Sequence, residues 1–287
     1  MYPASFEYHR AASVKDALAM LTRFGDDAKL LAGGHSLIPM MKLRLAQPAH
    51  LIDIGGIRDL AQVREEGGKI VIGGLATHHQ VETSAIVRGK LGMLAECAAL
   101  IGDVQVRNRG TIGGSLAHSD PAADYPAAVL ALEAEMRVES SGGARTIKAE
   151  EFFIDLMTTA VQHGQILTHV SIAPIAASTG GAYLKHRQPA SGFATVGVAA
   201  LVTLDPNGNC ARVRVGITGL GPKAFRAKAV EAALTGKAPA AIKDAAAHAA
   251  DGIDALSDIH AAADFRAELA RVYTRRALEQ AVARAKA

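Results

Sequence analysis

Apolar residues along the chain alternate between helical and strand spacing. Val14, Leu18, Leu21 and Phe24 fall on one helical face. Ser13-Val14-Lys15-Asp16 precedes them as an N-cap box with Asp in place of Glu, and Gly25 follows as a stop. Phe6-Glu7-Tyr8, Lys29-Leu30-Leu31 and Leu51-Ile52-Asp53-Ile54 are short strand-like runs, and the last ends at Gly55-Gly56. Leu37 to Leu45 reads as a short helix, with Pro39 in the first turn, where a missing N–H matters little. This β-α-β order predicts an α/β unit with at least partly parallel strands.

Lys69 to Ile72 predicts another strand, and Thr77 a cap for a helix through His78, His79 and Val81. Val87 to Ile101 reads as one long apolar helix, and Gly102 begins a loop. Pro126 to Leu132 is helical. Residues 136–138 and 146–147 flank Ser141-Gly142-Gly143 as a hairpin. Composition shifts across 174–181 (PIAASTGG), a candidate boundary. Beyond it, three antiparallel strands are expected at 181–187, 194–204 and 210–218, the last two joined through Asp205-Pro206-Asn207-Gly208-Asn209. Helices follow: Phe225 to Leu234, an Ala-rich run from 239 to 250, and a final one from 261 to 285. On the last, Arg266, Arg271, Arg275 and Arg276 read as a solvated face.

Glycine pairs occur at 33-34, 55-56, 67-68, 73-74, 113-114, 142-143 and 180-181. Most read as turns. Two have a richer setting: Ala32-Gly33-Gly34-His35-Ser36, and Gly110-Thr111-Ile112-Gly113-Gly114-Ser115. Each follows an apolar run and leads toward a helix. Paired glycines beside hydroxyl residues suit a nest of backbone N–H groups around an anion. Two such runs facing each other could hold the two phosphates of a dinucleotide. Neither is a Walker loop, and neither has the G-x-G-x-x-G spacing of a Rossmann turn.

Composition narrows the class. In 287 residues, hydrophobic content is 49%, charged content 21% and net charge +3, as in ordinary globular chains and too mild to suggest nucleic acid. The N-terminus has no apolar signal core, and no apolar run reaches the roughly 18 residues of a membrane span. The expected location is the cytoplasm, with association to the inner membrane face left open. Cys97 and Cys210 form no disulfide framework and cannot supply the four thiolates of an iron–sulfur cluster. The histidines show no H-x-x-H spacing, so no metal ligands are assigned, and no nucleophile–base set emerges.

AGGHSLIPMMKLRLA (32–46), IGGLATHHQVE (72–82) and QVRNRGTIGGSLAHSDPAADYPAAVLAL (105–132) resemble the FAD-binding subunits of molybdenum hydroxylases, in particular the aerobic carbon monoxide dehydrogenase branch. The likeness extends over nearly the whole chain. It implies an α+β fold: a two-part, PCMH-type α/β FAD-binding domain over 1–177, then a C-terminal domain over 178–287 with a three-stranded antiparallel sheet and a helix bundle. It also implies an electron-transfer role for FAD, between the iron–sulfur clusters of a partner and an external acceptor such as a quinone. A large subunit would carry the molybdenum cofactor and a small subunit two two-iron two-sulfur clusters, in a dimer of heterotrimers. The competing reading is a self-contained FAD-dependent oxidoreductase for a small molecule.

On that resemblance, Ala32, Gly33, Gly34, His35 and Ser36 form one diphosphate clamp, with the His35 amide favoured over its ring. Thr111, Ile112, Gly113, Gly114 and Ser115 form the other. Lys29, Arg107 and Arg109 are the nearby cations, equally readable as surface charge. Asp124 is favoured as a cofactor contact over an N-cap; for Asp120, turn and contact stand level. Thr77, His78, Lys185 and Phe193 are placed by the resemblance near the flavin ring, with Phe193 lacking the hydroxyl of the Tyr some relatives carry.

Overall fold

The computed structural model describes residues 1–287. The amino-terminal unit contains β1 (Glu7–Arg10), α1 (Val14–Phe24), β2 (Ala28–Leu31), α2 (Leu37–Lys42) and β3 (His50–Asp53). Its sheet runs β1-β3-β2, parallel throughout. Helix α1 begins where the Asp16 N–H donates to the Ser13 hydroxyl and ends at Gly25, whose φ of 57° suits a residue without Cβ. Ala17, Leu18 and Leu21 pack into one core with Ile52 and Ala28.

The next strands are β4 (Val63–Glu66) and β5 (Lys69–Gly73), followed by helices α3 (His78–Thr83), α4 (Ala85–Lys90), α5 (Gly92–Ala99), α6 (Val104–Arg109), α7 (Ile112–His118) and α8 (Tyr125–Ala131). Then come β6 (Glu135–Ser140), β7 (Gly143–Lys148), α9 (Ala149–Phe152), the small pair β8 (Phe153–Asp155) and β9 (Thr158–Thr159), and β10 (Ile166–Ile172). The large sheet is ordered β4-β5-β10-β6-β7 and is antiparallel. Its central strand, β10, was not anticipated, although Ile166, Thr168, Val170 and Ile172 alternate with period two and are all buried.

Two helical expectations change. The single helix expected over 87–101 is broken at Leu91 (φ −138°, ψ 46°), which is fully buried and anchors the corner between α4 and α5. The loop expected after Gly102 is instead helix α6, capped by the Asp103 carboxylate, which accepts the Val106 N–H at 2.9 Å.

The carboxy-terminal unit is built on β11 (Thr179–Arg187), β12 (Ala194–Leu204) and β13 (Cys210–Thr218), antiparallel as expected. A short fourth strand, β14 (Phe225–Arg226), joins the edge beside β13. The helix expected from Phe225 therefore starts later, as α10 (Lys228–Leu234), and is followed by α11 (Ile242–Ala246) and α12 (Ala263–Ala285). The Arg226 side chain is held by Glu231 at 2.6 Å, which keeps the strand register against the helix that follows. Leu269, Ala270, Thr274, Ala277, Leu278 and Ala281 form the buried stripe of α12. Arg266 does not belong to a solvated face. It is buried and donates to the carbonyls of Thr195 and Gly219 and to Asp258. No helix is long and apolar enough to cross a membrane.

Candidate functional site

Where the three units meet, a cleft of about 540 Å³ opens, within the roughly 300–1,000 Å³ typical of small-molecule sites. The β2–α2 loop forms one wall and the turn from β5 to α3 another. Helix α7 forms the floor, and the loop 191–193 of the carboxy-terminal sheet closes one end.

The first glycine run is the open one. None of the N–H groups of Gly33, Gly34, His35, Ser36 and Leu37 donates to a backbone acceptor, and all five residues line the cleft. Five consecutive unspent donors fit an anion such as a diphosphate. Gly34 holds φ at +75°, and a Cβ there would press on Ile38. Gly33 lies against the second run, where a Cβ would overlap the Arg109 carbonyl. Ala32 also lines the cleft. The His35 ring is drawn onto its own loop, with Nδ1 3.0 Å from the Gly33 carbonyl.

In the second run the backbone N–H groups find partners within the chain. Thr111 is the N-cap of α7, so Gly113 and Gly114 lie inside the first helical turn. Their N–H groups are taken. Ile112 donates to Ala76 at 3.0 Å, Gly113 to Gly74 at 2.9 Å and Gly114 to the Thr111 hydroxyl at 3.1 Å. Ile112 is wholly buried and does not reach the cleft. Thr111, Gly113, Gly114 and Ser115 do line it. The run is therefore a packed floor under the open cradle.

Thr77 does not line the cleft either. Its hydroxyl accepts the Gln80 N–H while the Gln80 side chain accepts the Thr77 N–H, a complete capping box. Thr77 and Thr111 also face each other in an isolated antiparallel bridge, tying the starts of α3 and α7 together. His78 does line the cleft. Its ring is buried beside Gly110, and Nδ1 has no partner. Burial, then the charges of His35 and Arg107, lower its pKa to about 4, so the imidazole is neutral at pH 7.

Asp124 reaches the cleft from the N-terminus of α8 without capping that helix. Its carboxylate is 3% exposed, accepts the Tyr183 hydroxyl at 2.6 Å and lies 2.8 Å from Lys185 Nζ. Burial pushes its pKa up, while Lys185 and Tyr183 pull it back. Lys185 itself does not line the cleft. Its ammonium is buried and donates a second bond to the Gly192 carbonyl at 2.6 Å. Lys185 thus tethers the loop that carries Phe193, and Phe193 stands 45% exposed at the mouth.

Of the candidate cations, only Lys29 lines the cleft. Arg107 is spent on Glu82 at 3.0 Å and on the Ile101 carbonyl; Arg109 contributes its backbone carbonyl to Gly33. Asp120 is both turn former and lining residue, since its carboxylate accepts the Ala122 N–H at 2.8 Å. Leu75, Ile166 and Leu167 supply an apolar wall that the sequence reading missed. The period-two pattern of β10 was the available signal.

A family model described as the FAD binding domain in molybdopterin dehydrogenase matches residues 4–174. A second, the CO dehydrogenase flavoprotein C-terminal domain, matches 181–281. The carbon monoxide dehydrogenase medium chain of Hydrogenophaga pseudoflava is 42% identical over 99% of both chains. Subunit alpha of the 6-hydroxypseudooxynicotine dehydrogenase complex of Paenarthrobacter nicotinovorans is 38% identical over 100% of this chain and 97% of its own length. In solved structures, a chain of the Hydrogenophaga pseudoflava carbon monoxide dehydrogenase lacking the Mo-pyranopterin moiety superposes with a TM-score of 0.96 at 44% identity, covering 99% of each chain.

Proposed function

The chain belongs to the family that joins the FAD binding domain of molybdopterin dehydrogenases to the CO dehydrogenase flavoprotein C-terminal domain, and from that membership we propose that it is the FAD-binding electron-transfer subunit of a carbon monoxide dehydrogenase. FAD, when bound, supplies a carrier between one-electron clusters and a two-electron acceptor.

This chain's own residues bind and orient. The observation that carries the reading is the open run of N–H groups from Gly33 to Leu37. It would hold the cofactor's diphosphate, over a floor of Thr111, Gly113, Gly114 and Ser115. Lys29 adds positive charge at the rim. Asp124 would offer a fixed acceptor to the cofactor's hydroxyl groups, and neutral His78 and Phe193, which line the cleft, would hold its flavin ring. Lys185 positions the Phe193 loop through Gly192. Residues 1–177 form the FAD-binding domain. Residues 178–287 form the C-terminal domain, which completes the mouth.

Substrate oxidation belongs to a molybdenum-bearing large subunit, where carbon monoxide and water become carbon dioxide with release of two protons and two electrons. A small subunit with two iron–sulfur clusters delivers those electrons here, and an external quinone removes them. The assembly is a dimer of heterotrimers in the cytoplasm.

The test is a visible spectrum and metal analysis of the native purified complex, with carbon monoxide as reductant. Bleaching of one FAD per copy of this chain by carbon monoxide is the expected result. The relative from Paenarthrobacter nicotinovorans favours a second reading. Bleaching by 6-hydroxypseudooxynicotine and not by carbon monoxide would establish that one and overturn the first.

A further inference from the structure

The amino-terminal sheet carries a second constellation, none of whose members lines the cleft. Glu7 and His9 sit two residues apart on β1, on one face of the strand. His50, on β3, is the register partner of Glu7. His9 Nε2 and His50 Nδ1 are 3.1 Å apart. A Glu7 carboxylate oxygen lies 3.7 Å from the first and 3.5 Å from the second. All three ligand atoms fall within 4.8 Å of one another.

Those separations are informative. A tetrahedral zinc ion with bonds of about 2.0–2.1 Å holds its ligand atoms roughly 3.3–3.4 Å apart. The three observed distances bracket that value. The rings are also held in place. Phe24, the last residue of α1, stacks on His9 at 4.6 Å and 26° and on His50 at 4.0 Å and 17°. Two imidazole nitrogens and one carboxylate suit zinc and its transition-metal neighbours rather than calcium or magnesium, which take oxygen ligands.

We propose that Glu7, His9 and His50 form a three-ligand site for a divalent transition-metal ion of the zinc class, with the fourth position open to water. The ion ties the edge strand β1 to β3 at one end of their parallel pairing and replaces the direct contact between the two ring nitrogens. Sequence spacing conceals the site, because His9 and His50 meet only through the β-α-β crossover.

Zinc titrated calorimetrically into the purified, EDTA-treated full-length chain tests it. One equivalent should bind, and His50→Ala should weaken that event by more than the about 10–100-fold typical of losing an outer-shell partner. Glu7→Gln guards against misfolding, because the Glu7 side chain is 73% exposed and its amide is isosteric; it should weaken zinc at least about tenfold. Cobalt in place of zinc should give the intense visible bands of a tetrahedral site in the wild type and lose them in both variants. His163→Ala, at a histidine outside the cluster, should bind as the wild type does. No zinc uptake by the wild type, or affinity unchanged in both His50→Ala and Glu7→Gln, would overturn the proposal and leave a plain His–His hydrogen bond.

Discussion

The backbone of Gly33 rests on the carbonyl of Arg109, with no room between them for a methyl group. That contact joins two glycine runs from distant parts of the chain. It seats the open N–H cradle over the capped start of α7. The width of the cleft at the cradle depends on it.

Gly33→Ala should therefore act on the cofactor before it acts on the fold. The added methyl must push the β2–α2 loop off residues 109–110, and overpacking of this kind costs about 1–3 kcal/mol. FAD affinity of the assembled complex should fall by roughly 5- to 150-fold, since each 1.4 kcal/mol is about tenfold. Gly89→Ala, where a Cβ would meet nothing within 4 Å, should leave FAD binding unchanged. Flavin content and FAD titration of the two variants check this. Equal FAD affinity in Gly33→Ala and wild type would refute it.

The buried pair of Asp124 and Lys185 makes an asymmetric prediction. Removing one partner of a buried ion pair costs about 3–5 kcal/mol, because the other charge stays desolvated. Lys185→Met should lower stability by about that amount at pH 7. The loss should shrink as pH falls, because a protonated Asp124 needs no cation. The double variant Asp124→Asn with Lys185→Met should recover much of the loss. Urea unfolding of the wild type and the two variants at pH 7 and pH 5 decides it; a double variant no more stable than Lys185→Met alone would count against the pair.

His78 sets an acid limit. Its folded pKa of about 4 lies below the ordinary value of an exposed imidazole, so the unfolded chain takes up the proton first. The stabilisation is complete above pH ~6.5 and is lost as pH falls to about 4, at about 1.4 kcal/mol per unit, or about 3 kcal/mol in all. His78→Gln should flatten the stability profile across that window by about the same amount. Melting temperatures measured between pH 7 and pH 4 in wild type and variant check the difference. Parallel profiles would show that His78 is not the titrating group.

Much of the architecture could be read from the chain because it depends on neighbours. Ser13 capping α1, Thr77 capping α3, the hairpin through Asp205 and the three long carboxy-terminal strands each rest on residues a few positions apart. The misses were of another kind. Strand β10 completes a sheet whose other members lie far away in sequence. Leu91 breaks a helix because its side chain is needed in the core. Arg266 is buried because two backbone carbonyls, one on β12 and one just after β13, accept its guanidinium.

The candidate site divides along the same line. By itself the sequence determined that two glycine runs exist and that each can approach another backbone closely, because absence of a Cβ is a property of the residue. Tertiary structure alone decided that Gly33 to Leu37 keep their N–H groups free while those of Ile112, Gly113 and Gly114 are consumed by Ala76, Gly74 and Thr111. It likewise placed Lys185 behind the Phe193 loop and brought His9 to His50. The physical reason is that a hydrogen-bond donor is defined by its residue, whereas the acceptor it meets is set by whichever strand the fold lays beside it.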